Sequence, residues 1–106
     1  MATIEQFSQL ELKVAKVVEA KAHPDADRLL VLTVDTGGVT KEIVSGIARH
    51  YTPAELVGKL VVVVNNMEPI VIRGVASNGM ILCAQGEAGL SLVVPEKQVP
   101  AGSVVR

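Results

Sequence analysis

Apolar and polar residues in the first half of the chain repeat with the two-residue period of β-strands. The alternation from Leu10 to Ala20 predicts a long first strand, and its change of phase at Ala15–Lys16 predicts a bulge or a bend. Leu29–Val34 and Lys41–Val44 predict a second and a third strand. The turn-forming residues Asp35 to Gly38 lie between them, so these two strands are predicted to form a hairpin.

Two short helices are predicted from their capping residues. Thr3-Ile4-Glu5-Gln6 has the Thr and the Gln of a capping box, which satisfies backbone N–H groups at a helix start. Thr52-Pro53-Ala54-Glu55 is the stronger signal, because it combines a capping Thr with Pro at the first helical position and Glu at the third. Gly58 ends this second helix early, so we expect it to be brief.

The second half of the chain contains three further apolar runs. The nearly continuous run Leu60–Val64 predicts a central strand with both faces covered. Ile81–Ala84 and Leu90–Val94 predict two more strands, joined by the glycine-containing segment 85–89. Residues 95–106 contain two prolines and only short apolar pairs. We expect this tail to wrap the rest of the domain or to contact a partner.

Five or so short strands, with one short helix between the third and the fourth, form the outline of an OB-fold. This all-β fold is a five-stranded Greek-key barrel. A length of 106 residues fits a single domain over residues 1–106 with one core. No apolar stretch reaches the roughly 18 residues of a membrane helix, and no signal segment opens the chain. We therefore expect a cytoplasmic protein without membrane attachment.

Charge and aromatic content restrict the kinds of ligand. Ten Lys and Arg residues against eleven Asp and Glu give a net charge of −1, which excludes a strongly basic nucleic-acid binder but allows a local basic face. Only Phe7 and Tyr51 are aromatic, whereas binders of single strands usually stack bases on aromatic rings at about 1–3 kcal/mol per base. Binding of RNA by this chain would therefore depend on folded shape and on phosphates.

The residue types that carry out catalysis or bind metals do not form a recognisable set. His23 and His50 lack the spacing of a metal-binding pair, and Asp25 with Asp27 lacks the further ligands of a calcium loop. No glycine-rich segment continues into the Gly-Lys-Ser/Thr of a phosphate-binding loop. The single Cys83 lies in an apolar run, where a buried thiol is expected. The sequence predicts no catalytic residue, no metal and no cofactor.

Small and polar residues follow or precede the apolar runs in three segments, Val44–Ala48, Val61–Pro69 and Arg73–Leu82. Polar groups at the ends of stiff strands are a common way for a small barrel to present a binding surface. Two interpretations of Ser45 and Ser77 stay open: the hydroxyls satisfy backbone groups at strand ends, or they contact a ligand. Neither serine has a base beside it in the sequence, so a role as nucleophile is not supported.

These segments closely resemble the tRNA-binding domain of bacterial methionyl-tRNA synthetases, where it is C-terminal. The same domain occurs in free-standing tRNA-binding proteins and in the endothelial monocyte-activating polypeptide group. Three motifs carry the resemblance, which extends over nearly the whole chain from Phe7: Val44-Ser45-Gly46, Asn66-x-x-Pro69 and Arg73-Gly74-Val75-x-Ser77-x-Gly79-Met80. It implies an OB-fold with a C-terminal extension, often a homodimer, that binds tRNA by shape near its outer corner. The implied domain is not itself an enzyme, and its partners are tRNA, a second copy and a linked or associated aminoacyl-tRNA synthetase.

Carried over position by position, the resemblance assigns tRNA contacts to seven residues: Lys13, Lys16, Arg28, Asn66, Arg73, Ser77 and Met80. The two arginines would pair with phosphates, and Asn66 and Ser77 would hydrogen-bond sugar hydroxyls or phosphate oxygens. Met80 would pack against a ribose or a base edge, with core packing as its alternative. For Lys13 and Lys16 the alternative is a solvated strand face.

The chain departs from the family in the segment before Arg73. It has Glu68, Ile70 and Val71 where the family often carries lysine or arginine. Fewer cations weaken attraction to phosphates and its dependence on salt. An exposed Ile70–Ile72 segment would also form an apolar patch, and such patches often mark interfaces. A dimerisation or protein-interaction module with weak or lost RNA binding is therefore the alternative function.

Overall fold

The structure is a computed structural model that describes all 106 residues. Its elements, in chain order, are α1 (Ile4–Ser8), β1 (Leu12–Ala22), β2 (Leu30–Asp35), β3 (Thr40–Ser45), α2 (Pro53–Leu56), β4 (Leu60–Val64), β5 (Ile70–Ile72), β6 (Val75–Ser77), β7 (Met80–Ile81), β8 (Cys83–Gly86), β9 (Gly89–Leu92) and β10 (Val104–Val105). Both helices begin with the capping boxes that the sequence predicts. Neither helix has the length and apolar character needed to span a bilayer.

Five antiparallel strands form a barrel in the order β3-β2-β1-β4-β7. The gap between β3 and β7 is bridged where the backbone N–H of Val44 donates to the Ser77 hydroxyl at 2.9 Å. The N–H of Asn78 donates to the carbonyl oxygen of Glu42, also at 2.9 Å. With α2 between β3 and β4, this arrangement confirms the predicted OB-fold.

The barrel interior is filled by aliphatic side chains from alternate positions of its strands. Val17, Val34 and Val61 are fully buried there, and β4 is central as its apolar run predicts. Leu56 of α2 is also buried in this cluster. The end of α2 is held to β1 by the Gly58 N–H, which donates to the Val17 carbonyl oxygen at 2.8 Å. One contiguous apolar core therefore supports every strand of the barrel.

The predicted bulge is present in β1 but lies further along the strand. The register against β2 shifts between Val17 and Glu19, not at Ala15–Lys16. The apolar pattern changes phase earlier because Leu12 and Val14, on the outer face, are buried as well. The C-terminal tail covers them: the Val14 N–H donates to the Ser103 carbonyl oxygen at 2.8 Å, and β10 pairs with the start of β1.

The C-terminal extension consists of the β8–β9 hairpin and the tail that ends in β10. The sequence predicts single strands at Ile81–Ala84 and Leu90–Val94, but the first is split at Leu82 into β7 and β8, and the second ends at Leu92. The hairpin is attached to the barrel by Tyr51, whose hydroxyl accepts a hydrogen bond from the Leu92 N–H at 3.0 Å. The tail wraps the barrel, which is one of its two predicted placements.

The β5–β6 hairpin is the main element that the sequence pattern does not predict. Each strand has three residues, too few to show an alternation. The turn between the strands consists of Arg73 and Gly74, which both have positive φ, +53° and +86°. Two central residues with positive φ are typical of the type I′ turn that joins adjacent antiparallel strands. The hairpin packs along β3 and forms one side of the groove described below.

Candidate nucleic-acid interface

An open groove of about 780 Å³ lies between the loop that joins β1 to β2 and the β5–β6 hairpin. We call it the arginine groove, because Arg28, Arg49 and Arg73, three of the four arginines in the chain, line it. Leu29, Val71 and Ile72 supply an apolar wall, and Asp27 is the one acidic residue of the lining. All six lysines lie outside the lining. The groove therefore combines an apolar wall with a concentration of guanidinium groups.

Hydrogen bonds of the backbone hold two of the arginine-bearing loops together. The N–H of Ala48, next to Arg49, donates to the carbonyl oxygen of Arg28 at 3.2 Å. The loop before β2 is itself closed, because the His23 N–H donates to the Leu29 carbonyl oxygen at 3.1 Å. These bonds fix the backbones of Arg28 and Arg49 relative to each other, although the two residues belong to different loops.

His23 fastens the third arginine-bearing segment to the same loop. Its Nδ1 accepts a hydrogen bond from the Asp25 N–H at 3.0 Å. Nε2 must then carry the ring proton, and it donates to the Ile72 carbonyl oxygen at 3.0 Å. The side chain is buried, so water does not compete for this bond. The β5–β6 hairpin, and Arg73 at its tip, are thus tied to the opposite side of the groove.

Arg73 occupies a backbone conformation that favours other residues. At φ +53° the left-handed region is populated mainly by Gly, Asn and Asp. An arginine there is held in a conformation of higher energy, a feature that often coincides with a functional requirement for the side chain. The guanidinium is exposed, and none of the three groove arginines forms a salt bridge, since the single ion pair of the chain is Lys13–Glu11.

Lys13 and Asn66 have partners within the chain at the opposite end of the barrel. Lys13 Nζ lies 3.6 Å from a Glu11 carboxylate oxygen. The Asn66 side chain accepts a hydrogen bond from the Glu11 N–H at 2.8 Å and donates to the Gln9 carbonyl oxygen at 2.7 Å. The amide of Asn65 donates to the Glu11 carboxylate and lowers the pKa of that group. Asn66 therefore fastens the segment after α1 to the end of β4.

Ser77 is buried, with 2% of its surface exposed. Its hydroxyl accepts from the Val44 N–H and donates to the Gly79 carbonyl oxygen at 3.1 Å, so the first of its two interpretations, a partner for backbone groups, matches its position. Met80 is 45% exposed, which makes core packing the wrong alternative for its side chain. Lys16 is exposed on the outer face of β1.

The structure thus separates the seven sequence-predicted site residues into groups. It brings Arg28 and Arg73 together in the arginine groove, at the end of the barrel where β1 finishes. Lys13, Asn66 and Met80 lie at the opposite end, because antiparallel pairing places the start of β1 beside the end of β4 and the start of β7. The 11 residues of β1 run from one end of the barrel to the other.

Sequence reasoning missed Arg49 as a member of the groove. A signal existed, since Arg49 directly follows the Ser45-Gly46-Ile47-Ala48 motif, just as Arg28 directly follows an Asp-Ala-Asp motif. From the sequence, Val71 is interpreted as the loss of a cation and as part of an exposed apolar patch. In the structure Val71 is exposed and lines the groove, so the departure from the family pattern changes the chemistry of the site as well as its charge.

The chain is similar to known proteins over its whole length. The family model described as "Putative tRNA binding domain" matches residues 12–104. The methionine–tRNA ligase of Methanoregula boonei is 52% identical over 106 residues, which are 100% of this chain and 16% of that protein. The chain therefore spans about one sixth of the length of this relative.

Two solved structures have the same fold as this chain over nearly the whole length of both proteins. The MetRS-related protein from Pyrococcus horikoshii superposes with a TM-score of 0.92 at 34% identity, covering 100% of this chain and 98% of that one. The chaperone CsaA from Bacillus anthracis gives 0.89 at 27% identity, covering 100% and 99%. The family model, the identity over the whole chain and the shared barrel agree, and the chain belongs to the tRNA-binding domain family.

Proposed function

We propose that this domain binds folded tRNA by its shape and phosphates, with the arginine groove as the principal contact, and that it has no catalytic activity of its own. The observation that supports this proposal most directly is the convergence of three guanidinium groups without salt-bridge partners. Guanidinium groups bind phosphate oxygens in pairs of parallel hydrogen bonds. In a chain of net charge −1, such a concentration gives one face a positive potential that the whole molecule lacks.

We expect the domain to select RNA by its folded shape, because the groove has no aromatic ring on which bases could stack. The hydroxyl of Tyr51 is engaged by the Leu92 N–H, and Phe7 lies on α1, so neither aromatic ring lines the groove. Without rings on which to stack successive bases, the domain has no platform for an extended single strand. Contacts to phosphates and ribose hydroxyls on a folded RNA would distinguish RNA from DNA without reading the sequence.

The opposite end of the barrel provides a second contact region. Lys13 at this end and Lys16 further along β1 would meet phosphates, and exposed Met80 would pack against a ribose or a base edge. Asn66 would contact the RNA only by sharing donors and acceptors that already have partners. We expect this region to add less affinity than the arginine groove, because Lys13 is also paired with Glu11.

The biological role would be auxiliary. A tRNA-binding module that is linked to or associated with an aminoacyl-tRNA synthetase raises the effective concentration of tRNA near the catalytic site. The identity to a methionine–tRNA ligase supports this role. It would place the protein in the cytoplasm, with tRNA, the synthetase and a second copy of the chain as partners.

The test is a titration of folded bulk tRNA across a salt series, with duplex DNA of similar length as the control. We expect micromolar or tighter binding to tRNA, weaker binding to DNA, and a logarithmic salt slope that reflects several phosphate contacts. Absence of tRNA binding at low salt would contradict the proposal.

A dimerisation or protein-interaction module is the second candidate. It is favoured by Ile70 and Val71, which are adjacent and 54% and 73% exposed. Exposed apolar side chains are common in interfaces between protein chains. Sedimentation of the domain alone and of the Ile70→Ser variant would test dimerisation: a dimer that the substitution dissociates supports this function, and a monomer in both cases excludes a dimer.

A further inference from the structure

We propose that the arginine groove holds one unstacked ribonucleotide of the bound RNA, with the base against the apolar wall and the 5′-phosphate on the guanidinium groups. This inference deepens the proposed function and rests on it. It concerns a feature that binding by shape and phosphates does not require, namely a pocket for a single base.

The dimensions and composition of the groove support this occupant. A volume of about 780 Å³ lies within the roughly 300–1,000 Å³ of sites that enclose a small organic molecule. An RNA helix carries phosphates outside and keeps its bases stacked inside, so it would leave the wall of Leu29, Val71 and Ile72 facing water. A base that is turned out of its stack covers that wall and brings its own phosphate with it.

The choice of arginine over lysine points to the same ligand. A guanidinium plane can stack on a nucleobase as well as bind a phosphate, whereas an ammonium group is a point charge. The groove contains Arg28, Arg49 and Arg73 but none of the six lysines, and no aromatic ring. Arginine is therefore the one side chain of the groove that offers a planar surface to a base.

The carboxylate of Asp27 in the groove favours a nucleotide over a simple anion as the ligand. Its carboxylate lines the groove among the three arginines without forming a salt bridge to any of them. A carboxylate accepts hydrogen bonds from ribose hydroxyls or from the amino group of a base, but it repels a second negative charge. The groove is thus suited to a ligand with one phosphate and several hydrogen-bond donors, and less suited to an acidic peptide with repeated carboxylates.

The test is an NMR titration of the isotope-labelled domain with adenosine 5′-monophosphate, with inorganic phosphate and ribose 5-phosphate as matched probes. We expect the nucleotide to shift the side-chain methyl signals of Leu29, Val71 and Ile72 in a saturable way. The two probes without a base should shift the backbone amides of the three arginines and leave these methyl signals unchanged. Equal shifts with all three probes would show an anion site only and would overturn the inference.

Substitutions in β5 provide a matched pair. Val71→Ser removes part of the apolar wall and should weaken nucleotide binding about threefold to tenfold. Ile70→Ser removes a similar exposed side chain from the neighbouring position, which does not line the groove, and should leave nucleotide binding unchanged. Equal effects of the two substitutions would overturn the assignment of the base to this wall.

Further measurements distinguish failure of this inference from failure of the proposed function, and a nucleotide from other ligands. If the domain binds tRNA but the nucleotide shifts no methyl signal of the apolar wall, the inference fails while tRNA binding stands; if neither binds, both fail. A fully paired RNA duplex should compete with the nucleotide less well than tRNA does, and equal competition would contradict the inference. Oligoglutamate that occupies the groove when the nucleotide does not would identify a protein-binding site instead.

Discussion

The ring of His23 donates a hydrogen bond from Nε2 to the carbonyl oxygen of Ile72 over 3.0 Å, across 49 positions of sequence. This bond connects the two sides of the arginine groove. Arg28 lies on the loop that His23 begins, and Arg73 follows Ile72 directly. The backbone segments that carry these two arginines are therefore connected by one buried side chain that does not itself line the groove.

We predict that His23→Ala lowers tRNA affinity several-fold although it removes no residue of the groove. Loss of the bond frees the hairpin to move, so Arg73 would lose its fixed position. The free energy of unfolding should fall by about 1–3 kcal/mol, because the Ile72 carbonyl oxygen and the Asp25 N–H each lose a partner. Urea unfolding and tRNA titration measure the two effects. His50→Ala is the control, and an effect on tRNA affinity as large as that of His23→Ala would contradict the prediction.

Ser77→Ala is predicted to lower stability without lowering tRNA affinity. It leaves the Val44 N–H without its partner between β3 and β6, at a cost of about 1–3 kcal/mol. The hydroxyl is buried, so the folded protein should bind tRNA as before. Denaturant unfolding and tRNA titration below the unfolding transition would measure both. Ser91→Ala, at an exposed position of β9, should change neither quantity. Weaker binding by Ser77→Ala at unchanged stability would mean that the hydroxyl contacts RNA.

Arg73→Asn is predicted to lower tRNA affinity without lowering stability, the reverse of the effect of Ser77→Ala. Asparagine tolerates the positive φ of the turn, so the free energy of unfolding should stay the same or rise by up to about 1 kcal/mol. tRNA affinity should fall, and Arg73→Asn combined with Arg28→Ala should lower it further and flatten the salt slope by about 0.7–0.9 per lost phosphate contact. Arg106→Ala removes an equal charge outside the groove. If its effect matched that of the groove variants, net charge would explain the result.

Glu68→Lys is predicted to strengthen tRNA binding. Glu68 is exposed in the segment between β4 and β5, and its carboxylate would repel phosphates that approach this segment. The substitution should raise affinity at low salt and steepen the salt slope by up to about one contact. Glu87→Lys, in the turn between β8 and β9, changes the charge equally and lies in a different part of the fold. An unchanged slope for Glu68→Lys would mean that this segment does not meet the phosphates.

Stability is predicted to fall in acid because two carboxylates stabilise turns and helix ends. The N–H groups of Gly37 and Gly38 lower the pKa of Asp35, and hydrogen bonds from Thr52 lower the pKa of Glu55. A carboxyl group whose pKa is lower in the folded state stabilises the fold above its unfolded pKa. This contribution is lost as the pH falls through the folded pKa, below the ordinary values of 3.8 and 4.5.

Thermal unfolding of Asp35→Asn between pH 2 and pH 7, compared with the parent, would test this assignment. Asparagine can still accept the two N–H bonds of the turn, so the variant should fold but lose part of the acid dependence. An identical pH profile for both proteins would show that Asp35 does not contribute to it.

The main strands could be predicted because burial leaves a periodic pattern in the sequence, whereas the family was identified from the resemblance of three motifs. Leu60–Val64 is apolar throughout since both of its faces are covered, and the predicted bounds of that strand are those observed. Short elements left no such pattern. The three-residue strands of the β5–β6 hairpin have no alternation to detect, and the bulge of β1 was misplaced because the tail buries its outer face.

The candidate site could be predicted only in part, for a different physical reason. The sequence by itself determined the residue types: few aromatic rings, a local supply of arginine, and polar residues at strand ends. Only the tertiary structure decided which of them meet. Arg28, Arg49 and Arg73 stand on three separate loops, and Ser77 turns inward to the Val44 N–H while Met80 turns outward. Whether a polar side chain faces solvent or a backbone group depends on long-range strand pairing, which no local pattern of residues encodes.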